Sequence, residues 1–261
     1  MATELPKHWK ASTWEEKARE NPLFAVQSMP GMADAPPEGF TPELLEAFFK
    51  KGRLIFDQHI EPLLPQSPDP KGKTLVVEYG CGAGRLLKPL IDRGYRCSGI
   101  DISSTMLRHC RDLTPEVEAL SELDAEGRCA IASESASIVF SHAVVQHISR
   151  LSHYVTAIDE MCRILKPGGV LALHLNCEDF ADGPDGPFGR TENHETYSLH
   201  YRPGATEPYL RHDQNNWSGV YIGRDTLASI LAGHGVTMER WRPHTASKPR
   251  SVWAIGRKSP A

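Results

Sequence analysis

No two of the six cysteines in this 261-residue sequence stand at C-x-x-C or any other close ligand spacing. Cys81, Cys97, Cys110, Cys129, Cys162 and Cys177 fall mostly inside apolar segments, which reads as reduced core thiols rather than a disulfide framework or a zinc knuckle. The N-terminus lacks a basic stretch followed by an apolar run, and no segment approaches a bilayer span. A cytoplasmic location is the expectation. Charge of one sign is also missing: a formal net charge of −4 provides no field for gathering polyanions, which disfavours bulk nucleic-acid binding. Repeats and low-complexity tails are absent. What is left, 40% hydrophobic and 24% charged, is an ordinary globular composition able to bury one main core with additions.

One further absence says more. Leu75-Val76-Val77-Glu78-Tyr79 reads as a strand carrying an acidic residue near its end, followed by Gly80, Gly82 and Gly84. A dinucleotide fingerprint, G-x-G-x-x-G, needs its third glycine where Arg85 stands, so the pyrophosphate loses its close-packed seat. G-x-G-x-G after a strand still describes a sharp turn that lets a ligand approach the backbone. One strand-helix-strand unit later comes Asp101, at the end of the next strand, where a carboxylate can accept both hydroxyls of a ribose. The ligand is read as a nucleoside.

The surrounding pattern alternates strand and helix. Strands are predicted over 75–79, 96–100, 117–120, 137–141 and 170–175, with helices over 85–93, 103–112 and from Leu151 to Leu165, and with Lys166-Pro167-Gly168-Gly169 as a stop. Regularity breaks between about 177 and 222, too long a stretch for an ordinary connection. A helix over 224–232 and strands over 236–241 and 251–257 complete a seven-stranded sheet. Before the core, Thr41-Pro42 starts a helix lined by Leu44, Leu45, Phe48, Phe49, Ile55 and Phe56, with Gly52 as a candidate interruption; Trp14-Glu15-Glu16-Lys17 sits in a shorter one ending near Asn21-Pro22. The expected organisation is an N-terminal helical cap over 1–70 and a core over 71–261 whose 177–222 insertion lies on the substrate side.

Three linked segments now carry a family resemblance. They are the Glu78–Gly84 turn with Asp101, the stretch Ile138-Val139-Phe140-Ser141-His142-Ala143-Val144-Val145-Gln146-His147-Ile148, and Glu160-Met161-Cys162-Arg163-Ile164-Leu165 running into Lys166-Pro167-Gly168-Gly169. In this order the chain resembles the class I S-adenosylmethionine-dependent methyltransferases. That resemblance implies an α/β fold, Rossmann-like and doubly wound, with a seven-stranded mostly parallel sheet and helices on both faces. It implies S-adenosylmethionine as cofactor and transfer of its methyl group to an acceptor, read as an oxygen or nitrogen of a small molecule; from charge, segment length and ligand spacing, no nucleic acid, membrane or metal is expected. An RNA or protein methyltransferase and a non-catalytic cofactor-binding module are the alternatives.

The same resemblance distributes roles. Gly80, Cys81, Gly82 and Gly84 bring backbone against the cofactor, Glu78 supports its amino-acid end, Asp101 holds the ribose, and Ile102, with Met106, lies against the adenine. Asp124 and Ala125 receive the adenine amino group, with Glu122 and Glu126 as alternatives, and Ser141 faces the sulfonium region. Arg85 is either a surface arginine or, like Arg53, a partner of the cofactor carboxylate. An acceptor that loses a proton needs a base, and among the twelve histidines position favours His142, with His147 and Tyr201 as further catalytic candidates. Glu178, Asp179, His200, Tyr209, His212 and Trp217 supply walls and polar handles for a substrate.

Overall fold

The computed structural model describes residues 11–23, 40–65, 74–148, 151–177, 195–201, 209–214, 219–245 and 248–260. They form two compact units, 1–138 and 139–261. Among the described residues no helix is long and apolar enough to cross a membrane.

In the first unit, α1 (Ala11–Glu20) and α2 (Pro42–Ile55) precede a strand-helix-strand-helix-strand run. That run is β1 (Leu75–Tyr79), α3 (Leu87–Asp92), β2 (Arg96–Asp101), α4 (Ser104–Leu113) and β3 (Ala119–Glu122). β1 pairs with β2 and β2 with β3, both in parallel. All five residues of β1 are buried, as a strand covered on two sides requires. α2 starts where its sequence says, with the Thr41 hydroxyl accepting from Leu44 N and Pro42 at the first position. Gly52 does not break it: a Cβ there would lie 2.3 Å from the Arg85 carbonyl oxygen, so the glycine lets that backbone pack directly on the helix. The helix after the glycine turn begins at Leu87 and not at Arg85, because the turn itself still occupies the residues before it.

In the second unit, the body of β4 (Ala136–His142) leads through a 3-10 turn at Val145–His147 to α5 (Leu151–Ile164) and β5 (Leu165–Cys177). The stretch expected to be irregular carries three strands, β6 (Glu195–Tyr201), β7 (Tyr209–Gln214) and β8 (Gly219–Ile222). β8 runs parallel to the end of β5, β6 parallel to β8, and β7 antiparallel to β6. After α6 (Arg224–Ala232), β9 (Val236–Thr245) and β10 (Lys248–Lys258) form a hairpin, and β10 lies antiparallel along β5 from Ser251↔Asn176 to Arg257↔Val170. Its core includes Tyr154, Ile158, Met161, Leu173, Leu175 and Trp253.

Candidate functional site

The turn after β1 hangs on one carbonyl: the N–H groups of Gly80 and Cys81 both donate to Ile100 O, at 2.7 and 2.9 Å. Gly80, Gly82 and Gly84 have φ of 79, 51 and 82°, a region closed to most side chains. Gly84 also has no room, since a Cβ would stand 2.9 Å from Cys110 Sγ and 3.0 Å from Thr114 Oγ1. It seats the turn on α4.

Asp101 ends β2 and ties the two loops together. Its Oδ2 accepts from Gly82 N at 2.8 Å and its Oδ1 from Ser103 N at 3.0 Å. Burial raises its pKa, and the N–H groups of Ser103, Gly82 and Ile102 oppose that by stabilising the anion. The next residue, Ile102, is 42% exposed, an unusual position for a large aliphatic side chain. Met106 is buried on α4, its N–H capped by Ser103 Oγ at 3.1 Å.

Glu78 and Arg85 form a buried charged pair beneath the turn, 3% and 7% exposed. Burial pushes the Glu78 carboxyl well above the usual carboxylate range, and the Arg85 guanidinium opposes it. Burial lowers Arg85 to about 10, countered by Glu78. Arg85 is therefore not a surface arginine. Glu78 Oε2 has no hydrogen-bond partner, and an orphaned buried carboxylate oxygen is costly unless something else binds it. Arg53 is exposed on α2.

One contact here joins residues too far apart in the chain for any local pattern to signal it. Glu15 of α1 accepts from Ser103 Oγ and Thr105 Oγ1, both at 2.6 Å, and from Thr105 N at 3.3 Å. Desolvation raises the Glu15 pKa, but these donors outweigh it and bring it to about 2. The N-terminal helix is thus fastened to the loop that follows Asp101. Asp124 organises its own turn, its Oδ1 accepting from Glu126 N at 3.0 Å and Arg128 N at 2.8 Å, with Asp124 and Ala125 both exposed.

In the second unit Ser141 is fully buried and His142 half-buried at the end of β4. His147 closes the 3-10 turn, its N–H donating to Val144 O at 2.8 Å. Tyr201 is the last residue of β6, with its side chain outside the described part, as are those of His200, Tyr209 and His212. Glu178, Asp179 and Trp217 lie outside the described residues altogether. His142 does not stand alone. Its ring stacks on His174 at 4.5 Å between centroids, His174 lies 4.4 Å from His244, and Trp253 borders His142 and His174 at 5.6 and 5.4 Å. His174 was legible only as a single imidazole within the apolar run Val170-Leu171-Ala172-Leu173-His174-Leu175.

Two parallel strands joined through a glycine turn and a helix, with buried Glu78 near the end of one and half-buried Asp101 at the end of the other, form the layout that nucleoside-binding α/β proteins use. Residues 77–173 match the family model of a methyltransferase domain. Trans-aconitate 2-methyltransferase of Azoarcus sp. is 35% identical over 102 residues, 38% of this chain and 38% of that protein. Malonyl-[acyl-carrier protein] O-methyltransferase of Methylococcus capsulatus is 34% identical over 102 residues, 38% of this chain and 36% of that one. Probable tRNA methyltransferase 9B of Mus musculus is 29% identical over 107 residues, 41% of this chain and 23% of that one. The chain thus matches well under half the length of these curated relatives.

Among solved structures, the CcbJ methyltransferase of Streptomyces caelestis superposes with a TM-score of 0.57 at 13% identity, covering 97% of this chain and 100% of that one. DesVI of Streptomyces venezuelae gives 0.53 at 15%, covering 83% and 93%. At such identities the likeness concerns the fold, which is the Rossmann-like α/β class with a seven-stranded mixed sheet. Residues 77–173 carry the methyltransferase domain of the class I S-adenosylmethionine-dependent family, whose methyl donor is S-adenosylmethionine.

The residues at the glycine turn fit that donor. The unsatisfied Glu78 oxygen suits an ammonium group, the exposed Ile102 offers an apolar face to a planar base, and Asp101 stands oriented between them in sequence.

Proposed function

We propose that this chain transfers the methyl group of S-adenosylmethionine to an oxygen or nitrogen atom of a small-molecule acceptor. The observation that carries this reading is Asp101, whose two oxygens are aimed by the N–H groups of Gly82 and Ser103 so that the same carboxylate can receive a ribose. In this reading Gly80, Cys81 and Gly82 line the donor's methionine and ribose portions, Ile102 and Met106 its adenine, and Glu78 binds its ammonium group. Gly84 acts through packing. Arg85 acts through Glu78, which it holds toward the charged form.

When bound, the donor supplies a sulfonium methyl for in-line displacement, a reaction that asks the protein chiefly to align the acceptor and exclude water. The proton of a hydroxyl or ammonium acceptor goes to an imidazole, and His142 is the one assigned, with His147 and Tyr201 behind it. Small acceptors are favoured by the net charge of −4 and by a relative named for trans-aconitate, and an oxygen acceptor by one named for O-methylation of malonyl-[acyl-carrier protein]. Likeness to a tRNA methyltransferase supports a second reading, an RNA substrate.

Calorimetric titration with S-adenosylhomocysteine, followed by a labelled-methyl screen against metabolite pools and bulk tRNA, tests the proposal. Micromolar cofactor binding with label in the small-molecule fraction is expected. No heat at millimolar ligand overturns the donor. Label entering tRNA, with affinity falling steeply in salt, moves the acceptor to RNA.

A further inference from the structure

His142, His174 and His244 each bring a ring nitrogen within 4.8 Å of the others, a spacing that invites a metal ion. Their hydrogen bonds point elsewhere. His174 Nδ1 accepts from Ala143 N at 3.1 Å, so its proton sits on Nε2, which meets Ser251 Oγ at 2.6 Å. His244 Nδ1 accepts from Trp253 Nε1 at 3.2 Å, and an indole N–H is only ever a donor, so this ring too carries its proton on Nε2. A cation on either Nε2 would leave the other nitrogen needing a proton where an N–H already points. Protonating either ring at Nδ1 meets the same obstacle.

Ala143 adds the reason for this arrangement. It has φ of 59°, a left-handed conformation rarely held by a non-glycine residue, immediately after His142. Its N–H is the group that His174 accepts. The same His174 ring stacks face to face on His142, with planes 16° apart, and is itself 5% exposed against the fully buried Trp253.

We infer that His174 is a positioning residue for His142: as a neutral Nε2–H imidazole it holds the left-handed Ala143 junction through Nδ1 and sets the His142 ring plane by stacking. His244 is a second neutral member, fixed by Trp253. Among the described residues, the titratable groups meeting here are the three histidines of β4, β5 and β9. Arg242, the register partner of Trp253, lies on the same side of β9 as His244, while Ser251 and Trp253 of β10 are uncharged. The catalytic consequence rests on the proposed role of His142, whereas the tautomers stand apart from it.

Imidazole nitrogen NMR of the full-length protein tests the inference. His174 and His244 are expected to keep the Nε2–H form from about pH 8 to about pH 5.5, below the usual histidine pKa. In His174→Phe the His142 resonances and titration midpoint shift, and turnover falls about 100-fold, as for a displaced catalytic group, with S-adenosylhomocysteine affinity unchanged. His174→Asn, whose amide oxygen can accept from Ala143 N but which has no ring to stack, recovers turnover only in part and leaves the His142 resonances shifted. Should His174→Phe fail to fold, Trp253→Phe serves: loss of the indole donor gives His244 a titration it lacks in the parent protein. An Nδ1–H form of either ring in the parent, an unchanged His142 titration in a folded His174→Phe, or movement of all three rings with equimolar Zn²⁺ overturns the inference. Absence of S-adenosylhomocysteine binding would sink only the methyltransfer reading.

Discussion

Glu78, Arg85, Asp101, Ser103 and Thr105 at the glycine turn all lie within residues 78–105, one strand-helix-strand unit and the start of its next helix, and Glu15 joins them from α1. The histidine cluster instead draws on β4, β5, β9 and β10, from His142 to Trp253. Their chemistry differs as much as their origin. The turn concentrates titratable groups, Glu78 near Arg85 and Asp101 against backbone N–H donors, whereas the cluster is built from rings whose donors and acceptors keep two of them neutral. Short-range construction thus goes with acids and their donors and long-range construction with neutral stacking. Each can be broken separately.

The largest effect is expected at the turn. Asp101→Ala leaves the N–H groups of Gly82 and Ser103 without their acceptor and removes the carboxylate proposed to hold the ribose. Hydrogen bonds to a charged group are each worth about 1.5–3 kcal/mol, so S-adenosylhomocysteine affinity should drop by about 100-fold or more in a calorimetric titration. Affinity within a few-fold of the parent would show that the carboxylate braces only the loops. Gly84→Ala comes next: a positive φ and contact with Cys110 and Thr114 together should cost about 2–4 kcal/mol in urea unfolding, while the histidine cluster keeps its spectrum.

The contrast also explains what the sequence made legible. Glu78, Gly80, Gly82, Gly84 and Asp101 follow one another at the spacing of a single βαβ unit, so local periodicity was sufficient to place them. The same holds for α5, β5 and the closing hairpin. The three strands between Cys177 and Gly223 escaped notice because their apolar runs are short and broken by glycine, proline and histidine. Local pattern left Arg85 open between a surface arginine and a buried partner, because its burial goes with Gly52, many residues earlier, admitting its backbone. His174, His244, Ser251 and Trp253 meet only through the β5–β10 and β9–β10 registers, which no local pattern encodes.

Glu15 supplies the exception to local construction at the turn, and its charge gives it a pH signature. Its folded pKa, about 2, lies below the ordinary glutamate value, so the stability it contributes is complete above that ordinary value and is lost as pH falls toward about 2. Glu15→Gln keeps the shape but weakens the bonds from Ser103 and Thr105, at a cost of about 1–2 kcal/mol near neutrality. Thermal unfolding at stepped pH should show the variant converging on the parent in acid. A gap that stays constant with pH would mean that Glu15 acts by packing alone.

The mildest test falls in the second unit, where Lys258 Nζ donates to Leu165 O at 2.8 Å and Cys162 O at 3.1 Å. These carbonyls lie at the C-terminal end of α5, where a cation also meets the negative end of the helix dipole. Lys258→Met keeps most of the stem packing and removes the charge, which should cost about 1 kcal/mol in chemical denaturation. Its acceptors are backbone carbonyls, which do not titrate, so this loss should be flat from neutral pH into acid. A pH-independent deficit here beside a pH-dependent one at Glu15 would separate the clamp on the helix end from the fastening at the turn. A Lys258→Met deficit that fades in acid would point instead to carboxylates acting through Lys258, and would blur the division between acid-based local and neutral long-range construction.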